Sequence, residues 1–203
     1  MQRQLSRRAF IRGSALTTAG AALMDVISAA GDAAQAAEAD GLPTLGPEPF
    51  QITLKVNGTS RTLQVEPRMT LAEILRGPLG LTGTKIACNR GACSACTVWI
   101  DGAAVCSCMT LAIEAGGHEV RTIEGLANGD RLHPVQAAFI EHDAVQCGFC
   151  TSGMVMSCAA LLEHNPDSSA DDVRKAISGH LCRCGTYPHV VEATLAAAKA
   201  GKA

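Results

Sequence analysis

Ten cysteines in a chain of 203 residues restrict what this sequence can fold around, and their spacing restricts it further. Cys88, Cys93 and Cys96 are separated by four residues and then two, and Cys108 follows after a strand-like run and a turn. That is the plant-type spacing of a [2Fe-2S] cluster, whose two irons each need two thiolates. Gly91, Ala92, Ser94 and Ala95 stand between the first three ligands. Residues this small let backbone N–H groups point inward at sulfur, where bulky side chains would block them. One short loop cannot reach around both irons, so the fourth ligand comes from elsewhere.

A second set lies further on, as Cys147-Gly148-Phe149-Cys150 and Cys182-Arg183-Cys184. The first pair sits at the start of a predicted helix, so both thiols can face one way, with the positive helix end favouring thiolate. The second pair lies in a loop after another predicted helix, and antiparallel helices would gather all four sulfurs. Zinc competes for this set, because Cys-x-x-Cys with two further cysteines is also zinc chemistry. The one-residue gap between Cys182 and Cys184 and the neighbouring cluster loop favour iron. Pairs as close as Cys106/Cys108 and Cys182/Cys184 make poor mutual disulfides.

Read in order, the chain opens on a targeting element over residues 1–36. Arg3, Arg7, Arg8 and Arg12 precede a weakly apolar, Ala-rich middle, and Ser6-Arg7-Arg8-Ala9-Phe10-Ile11 matches the twin-arginine export pattern. That route carries folded proteins and predicts a periplasmic destination. Ala34-Gln35-Ala36 offers a cleavage site, with Ala30 as a second. Removing the leader, with its four Arg and two Asp, leaves 13 basic and 17 acidic residues, a net of -4. The apolar middle is too short to span a membrane, and no later stretch qualifies. Residues 37–49 read as an irregular linker, because three prolines and two glycines interrupt any periodicity.

Alternation at Ile52, Leu54 and Val56, an Asn57-Gly58 turn and Thr62–Val65 predict a β-hairpin. The turn also explains why Asn57-Gly58-Thr59 spells a glycosylation pattern. Thr70 is the expected cap of a helix over Leu71–Arg76. Thr97–Ile100 and Glu119–Ile123 read as strands, completing a β-rich domain over residues 50–125. Residues 126–203 change to helical periodicity, with helices expected over Pro134–His142, Gly148–Glu163, Ala170–Ser178 and Pro188–Lys199. The fold class expected is α+β, a sheet domain followed by an all-α four-helix bundle.

Aromatic residues make up only 3% of the chain against 47% hydrophobic, so no stacking platform for nucleic acid is present, and no basic block follows the leader. Eight suitable cysteines leave no vacancy for a histidine-ligated Rieske cluster. Thr97 and Thr151 stand where a Cys-x-x-Cys haem attachment would need histidine. His133, His164, His180 and His189 read as structural, and Met154 and Met156 as helix packing. Cys158 reads as a buried small hydrophobe. No nucleophile motif, phosphate loop or carboxylate pair gives the chain a substrate-transforming site of its own.

The runs GTKIACNRGACSACTVWIDG, SCMTLA, TIEGL, HPVQAAFIEHDAVQCGFCTSGMVMS and GHLCRCGTYP together resemble the small iron-sulfur subunit of the molybdenum hydroxylases, the xanthine oxidase and aldehyde oxidoreductase family. The export signal makes the likeness strongest to the periplasmic aldehyde oxidoreductase type. The resemblance implies a β-grasp 2Fe-2S ferredoxin domain and a helical bundle, each with one [2Fe-2S] cluster. Cys88, Cys93, Cys96 and Cys108 would hold the outer cluster, and Cys147, Cys150, Cys182 and Cys184 the inner one. A large partner subunit would carry the molybdopterin cofactor and oxidise an aldehyde or N-heterocycle, with Gln146 and Cys184 contacting the pterin. A subunit binding FAD, or a haem protein such as a cytochrome c, would accept the electrons. A free-standing ferredoxin-like carrier is the alternative, and it leaves the second cysteine set unexplained. Ala87 and Ser94 stand where the family commonly has glycine, Ser152 replaces a frequent proline, and Cys106 occupies a position usually without cysteine. The Ser-Cys-Met-Thr-Leu context assigns the fourth outer ligand to Cys108.

Overall fold

The computed structural model describes residues 46–201. The expected export signal and most of the expected linker lie outside the described residues. From Pro47 onwards the chain forms one compact unit whose first half is a five-stranded sheet and whose second half is helical.

Strand β1 (Phe50–Val56) turns back at Asn57-Gly58 into β2 (Thr59–Val65), with Phe50 opposite Val65 and Val56 opposite Thr59. Asn57 and Gly58 both take positive φ, 49° and 77°, as a type I′ turn requires. The Asn57 side chain is engaged with Thr122, accepting from its amide and donating to its hydroxyl, each at 2.9 Å. Helix α1 (Leu71–Arg76) follows, opened by a capping box in which Thr70 and Glu73 satisfy each other's backbone amides. Strands β3 (Thr97–Ile100), β4 (Ala103–Cys106) and β5 (Glu119–Arg121) complete the sheet in the order β2-β1-β5-β3-β4, with β1 and β5 parallel and every other pairing antiparallel. A first core of Ile52, Leu54, Val65, Leu71, Ile74, Leu75, Val98 and Val120 lies between this sheet and α1.

Two expectations shift here. Ala103–Cys106, unassigned in the sequence reading, pairs with β3 because the Asp101-Gly102 turn returns the chain directly alongside it. The last strand ends at Arg121 rather than Ile123, because Asn57 captures Thr122 and Ile123–Gly125 then winds into a short 3-10 turn.

The helical half comprises α2 (Pro134–Glu141), α3 (Thr151–His164), α4 (Ala170–Ala176) and α5 (Tyr187–Ala200). Ser169 and Asp172 form the capping box of α4, and His133 caps α2 through Nδ1, which accepts the Val135 amide. A second core gathers Val135, Phe139, Met154, Met156, Val173 and Val190, and Trp99 of β3 belongs to it. Side chains alternate across a strand, so Val98 serves the sheet core while Trp99 serves the helical core. Trp99 Nε1 donates to the Met156 carbonyl at 2.9 Å, and the Arg121 guanidinium lies 5.4 Å from the ring centre. The two halves are therefore riveted across the sheet by one buried indole.

The helix expected from Gly148 begins three residues later, at Thr151. Gly148 has φ of 81°, a left-handed conformation that no right-handed helix accommodates, so the residues from Cys147 to Cys150 form a turn leading into α3.

Candidate metal centre

The loop from Ile86 to Cys96 is pinned before it reaches the first cysteine. Arg76, in the last turn of α1, donates from Nη1 to the carbonyls of Thr82 and Thr84, both at 2.7 Å. From that anchor the loop wraps through three left-handed residues, Asn89, Gly91 and Ser94. At Gly91 a Cβ would meet Met109 Cγ at 3.0 Å, so a bare position lets the chain pass under Met109. The loop turns its amides on sulfur: the Arg90 N–H lies 3.4 Å from Cys88 Sγ. This bond, the Cys93 thiol and the amides of Ala92 and Cys93 hold the Cys88 thiol down at about 7. The Gly91 amide reaches Cys108, whose thiol burial pushes up.

Among the described residues, no group of three or more His, Cys, Asp and Glu side chains converges on one point as a single ion would need. The thiols meet in pairs. Cys88 lies close enough to Cys93 for that thiol to lower its pKa, and Cys108 close enough to Cys96 to be raised by it, after the larger effect of burial. In the second set Cys147 meets Cys184 and Cys150 meets Cys182. Each set is also internally coupled by charge, Cys108 feeling Cys88 and Cys150 feeling Cys147. Two thiolates per metal, twice over, is the donor pattern of a dinuclear [2Fe-2S] centre. Both sets fit that group.

The second set is built by two turns. The Phe149 amide, followed by the Cys184 thiol, lowers the Cys147 pKa. Burial pushes Cys150 up to about 12. Burial also opposes ionisation of Cys182, but the hydroxyl and amide of Thr186, the Cys150 thiol and the Gly185 amide outweigh it and bring Cys182 to about 7. Tyr187 locks the turn, its hydroxyl accepting the Cys182 amide at 2.7 Å and donating to the His180 carbonyl at 2.9 Å. The sequence does not by itself mark out Thr186 and Tyr187; the signal it offers is their place two and three residues after Cys184, where α5 begins.

Exposure gives each set a direction. Cys93, Cys96, Cys108 and Cys150 are buried, Cys88 and Cys182 half-buried, and Cys147 and Cys184 exposed. Gln146 is exposed beside Cys147. Cys106 points from the end of β4 to Ser94, with Sγ 3.8 Å from its Oγ. Cys158 is fully buried in the helical core, which pushes its thiol up to about 11. Leu132, Ile140, Val145 and Phe149 are exposed, and the first three line one cleft with Gly148, the neighbour of Cys147, and Thr151.

Two family models match consecutive parts of the chain. Residues 54–120 match the 2Fe-2S iron-sulfur cluster binding domain family, and residues 122–195 match the [2Fe-2S] binding domain family. The aldehyde oxidoreductase iron-sulfur-binding subunit PaoA of Escherichia coli K12 is 41% identical, over 93% of this chain and 86% of its own length. The nicotine 6-hydroxylase small subunit of Paenarthrobacter nicotinovorans is 50% identical over 71% of this chain and 87% of its own. The crystal structure of quinoline 2-oxidoreductase from Pseudomonas putida 86 superposes with a TM-score of 0.73 at 46% identity, covering 76% of this chain and 97% of that one.

Proposed function

We propose, starting from a chain that belongs to the iron-sulfur small-subunit family of the molybdenum hydroxylases, that its eight paired cysteines form a two-stage electron relay between a molybdopterin subunit and an external acceptor. What carries the proposal is the pairing of the thiols in two sets within one folded unit. When bound, a [2Fe-2S] cluster takes up and returns electrons singly. The relatives named above are themselves subunits of oxidoreductases, which favours this role over that of a free-standing ferredoxin.

Cys88, Cys93, Cys96 and Cys108 hold the outer cluster and Cys147, Cys150, Cys182 and Cys184 the inner one. The amides of Arg90, Ala92 and Cys93 stabilise negative charge on the outer ligands, as Phe149, Gly185 and Thr186 do on the inner ones. Burial of Cys93, Cys96 and Cys108 keeps water from their sulfurs. Cys147 and Cys184 face outward, so the inner set meets the partner. The apolar surface at Leu132, Ile140, Val145 and Phe149 suits docking against the large subunit, with Gln146 and Cys184 reaching the pterin. The chain performs no substrate chemistry itself. Oxidation of an aldehyde or an N-heterocycle belongs to the molybdenum subunit, in keeping with relatives named for both kinds of substrate. Electrons leave the outer set for a flavin subunit or a cytochrome, and the twin-arginine leader over residues 1–36 delivers the folded assembly to the periplasm.

Co-purification tests this reading. A tagged chain should bring down a molybdenum-containing large subunit with aldehyde or N-heterocycle oxidation activity. Recovery only as an iron-sulfur monomer would refute it.

A further inference from the structure

We propose, resting on the two-cluster reading above, that Met109 is an oxidation site through which a peroxide resets the outer centre: its sulfoxide leaves a seat on Gly91 and admits water to the Cys108 side of the loop. Met109 follows Cys108 directly and is 61% exposed. The other methionines among the described residues are shielded. Met154 and Met156 are fully buried in the helical core, and Met69 is half-buried against the sheet core. The backbone at Met109 is fixed on both sides, its amide donating to the Cys106 carbonyl at 2.9 Å and the Thr110 carbonyl accepting the Leu71 amide at 2.8 Å. What can move is the side chain, and it lies across Gly91. A Cβ on that glycine would stand 3.0 Å from Met109 Cγ and 3.8 Å from its sulfur.

That seat matters because of what Gly91 does beneath it. Burial pushes the Cys108 thiol up, and the Gly91 amide is the main group opposing that shift. The Met109 thioether thus covers the backbone that stabilises charge on the fourth outer ligand, itself only 4% exposed. Hydrogen peroxide attacks an exposed thioether in one balanced step. The O–O bond breaks, an S–O bond forms, sulfur loses the two electrons that the peroxide gains, and both hydrogens leave with the second oxygen as water. The product exchanges an apolar group for a strong hydrogen-bond acceptor, which a glycine Cα cannot satisfy. The side chain swings into solvent, and water replaces it over Gly91. Solvent exposure and hydrogen bonds to sulfur set the potential of a cluster. Water at this edge stabilises the more negative, reduced form, so the outer potential rises.

The test treats the purified holoprotein with hydrogen peroxide, maps sulfoxide by peptide mass spectrometry, and follows the outer potential by redox titration monitored with electron paramagnetic resonance. Met109 should be oxidised before Met69, Met154 or Met156, and the outer potential should rise as its sulfoxide accumulates while the inner potential stays. Met109→Leu keeps an apolar cover of similar volume and leaves every other oxidisable group in place. Its outer potential should match that of the untreated wild type and should not move with peroxide. Met109→Gln places a polar group there without oxidant, and its outer potential should stand at the raised value from the start. Oxidation of the buried methionines first, a potential unmoved or lowered by full oxidation of Met109, or an equal shift in the Leu variant would overturn the proposal. A sample with no outer signal before peroxide defeats the two-cluster reading itself, so the two failures are distinguishable.

Discussion

Truncation of Trp99 probes the joint between the two halves of the protein. The indole is 2% exposed, donates to the Met156 carbonyl at 2.9 Å and carries the Arg121 guanidinium over its face. Trp99→Ala leaves a void in the helical core, and loss of a buried Trp side chain costs about 3–5 kcal/mol. Trp99→Phe keeps most of the ring volume but forfeits the hydrogen bond, worth about 1 kcal/mol, and weakens a half-exposed cation-π contact worth about 0.5–1 kcal/mol. It should cost about 2 kcal/mol. For a chain of this length each kcal/mol moves Tm by roughly 2–4 °C, which gives a fall of roughly 6–20 °C for Ala and 4–8 °C for Phe. Differential scanning calorimetry of the holoprotein reads both. If Trp99 is the rivet, the Ala variant should also split a single transition into two, as the helical half melts ahead of the sheet. A fall under about 3 °C with one unchanged transition would refute the reasoning.

Other residues give sharper local tests. His133 is held neutral by burial, its pKa lowered, and its Nδ1 accepts the Val135 amide only when unprotonated. The unfolded state therefore binds more protons, and stability present above the unfolded value of about 6.5 is lost as pH falls through it towards the folded pKa. His133→Asn, another good cap, should flatten that part of the pH–stability profile; an unchanged slope contradicts the assignment. Cys108→Ala should abolish the outer paramagnetic signal and Cys106→Ala should leave it in place, which a mass-checked spectrum of each variant decides. Cys158, buried and pushed up to about 11, should escape iodoacetamide at pH 8 in the folded protein and react once it is unfolded; native-state labelling by peptide mass mapping would contradict its burial.

Much of the fold was legible because local chemistry and tertiary structure agree. Asn57-Gly58, Thr70 with Glu73 and Ser169 with Asp172 each act within a few residues, and each forms the turn or capping box its letters spell. The misreadings arose where a distant partner decides. Asn57 reaches Thr122, more than sixty residues on, and ends the last strand early. Gly148 sits in an apolar, helix-like stretch, but its left-handed backbone delays α3 to Thr151. The thiols at Cys147 and Cys150 are accordingly presented by a turn and not by a helical face. Spacing singles out the eight cysteines as candidates, yet the closeness of Cys147 to Cys184 and of Cys150 to Cys182 needed three dimensions. So did the contact of Gly153 with Ser94, since nothing in a helix-forming run advertises the loop pressed against it.

Paramagnetic resonance of the dithionite-reduced protein, with metal analysis of the same sample, tests the central claim most directly. Two distinct [2Fe-2S] signals and about four iron atoms per chain are the predicted result. One signal, or zinc occupying the set of Cys147, Cys150, Cys182 and Cys184, would contradict it.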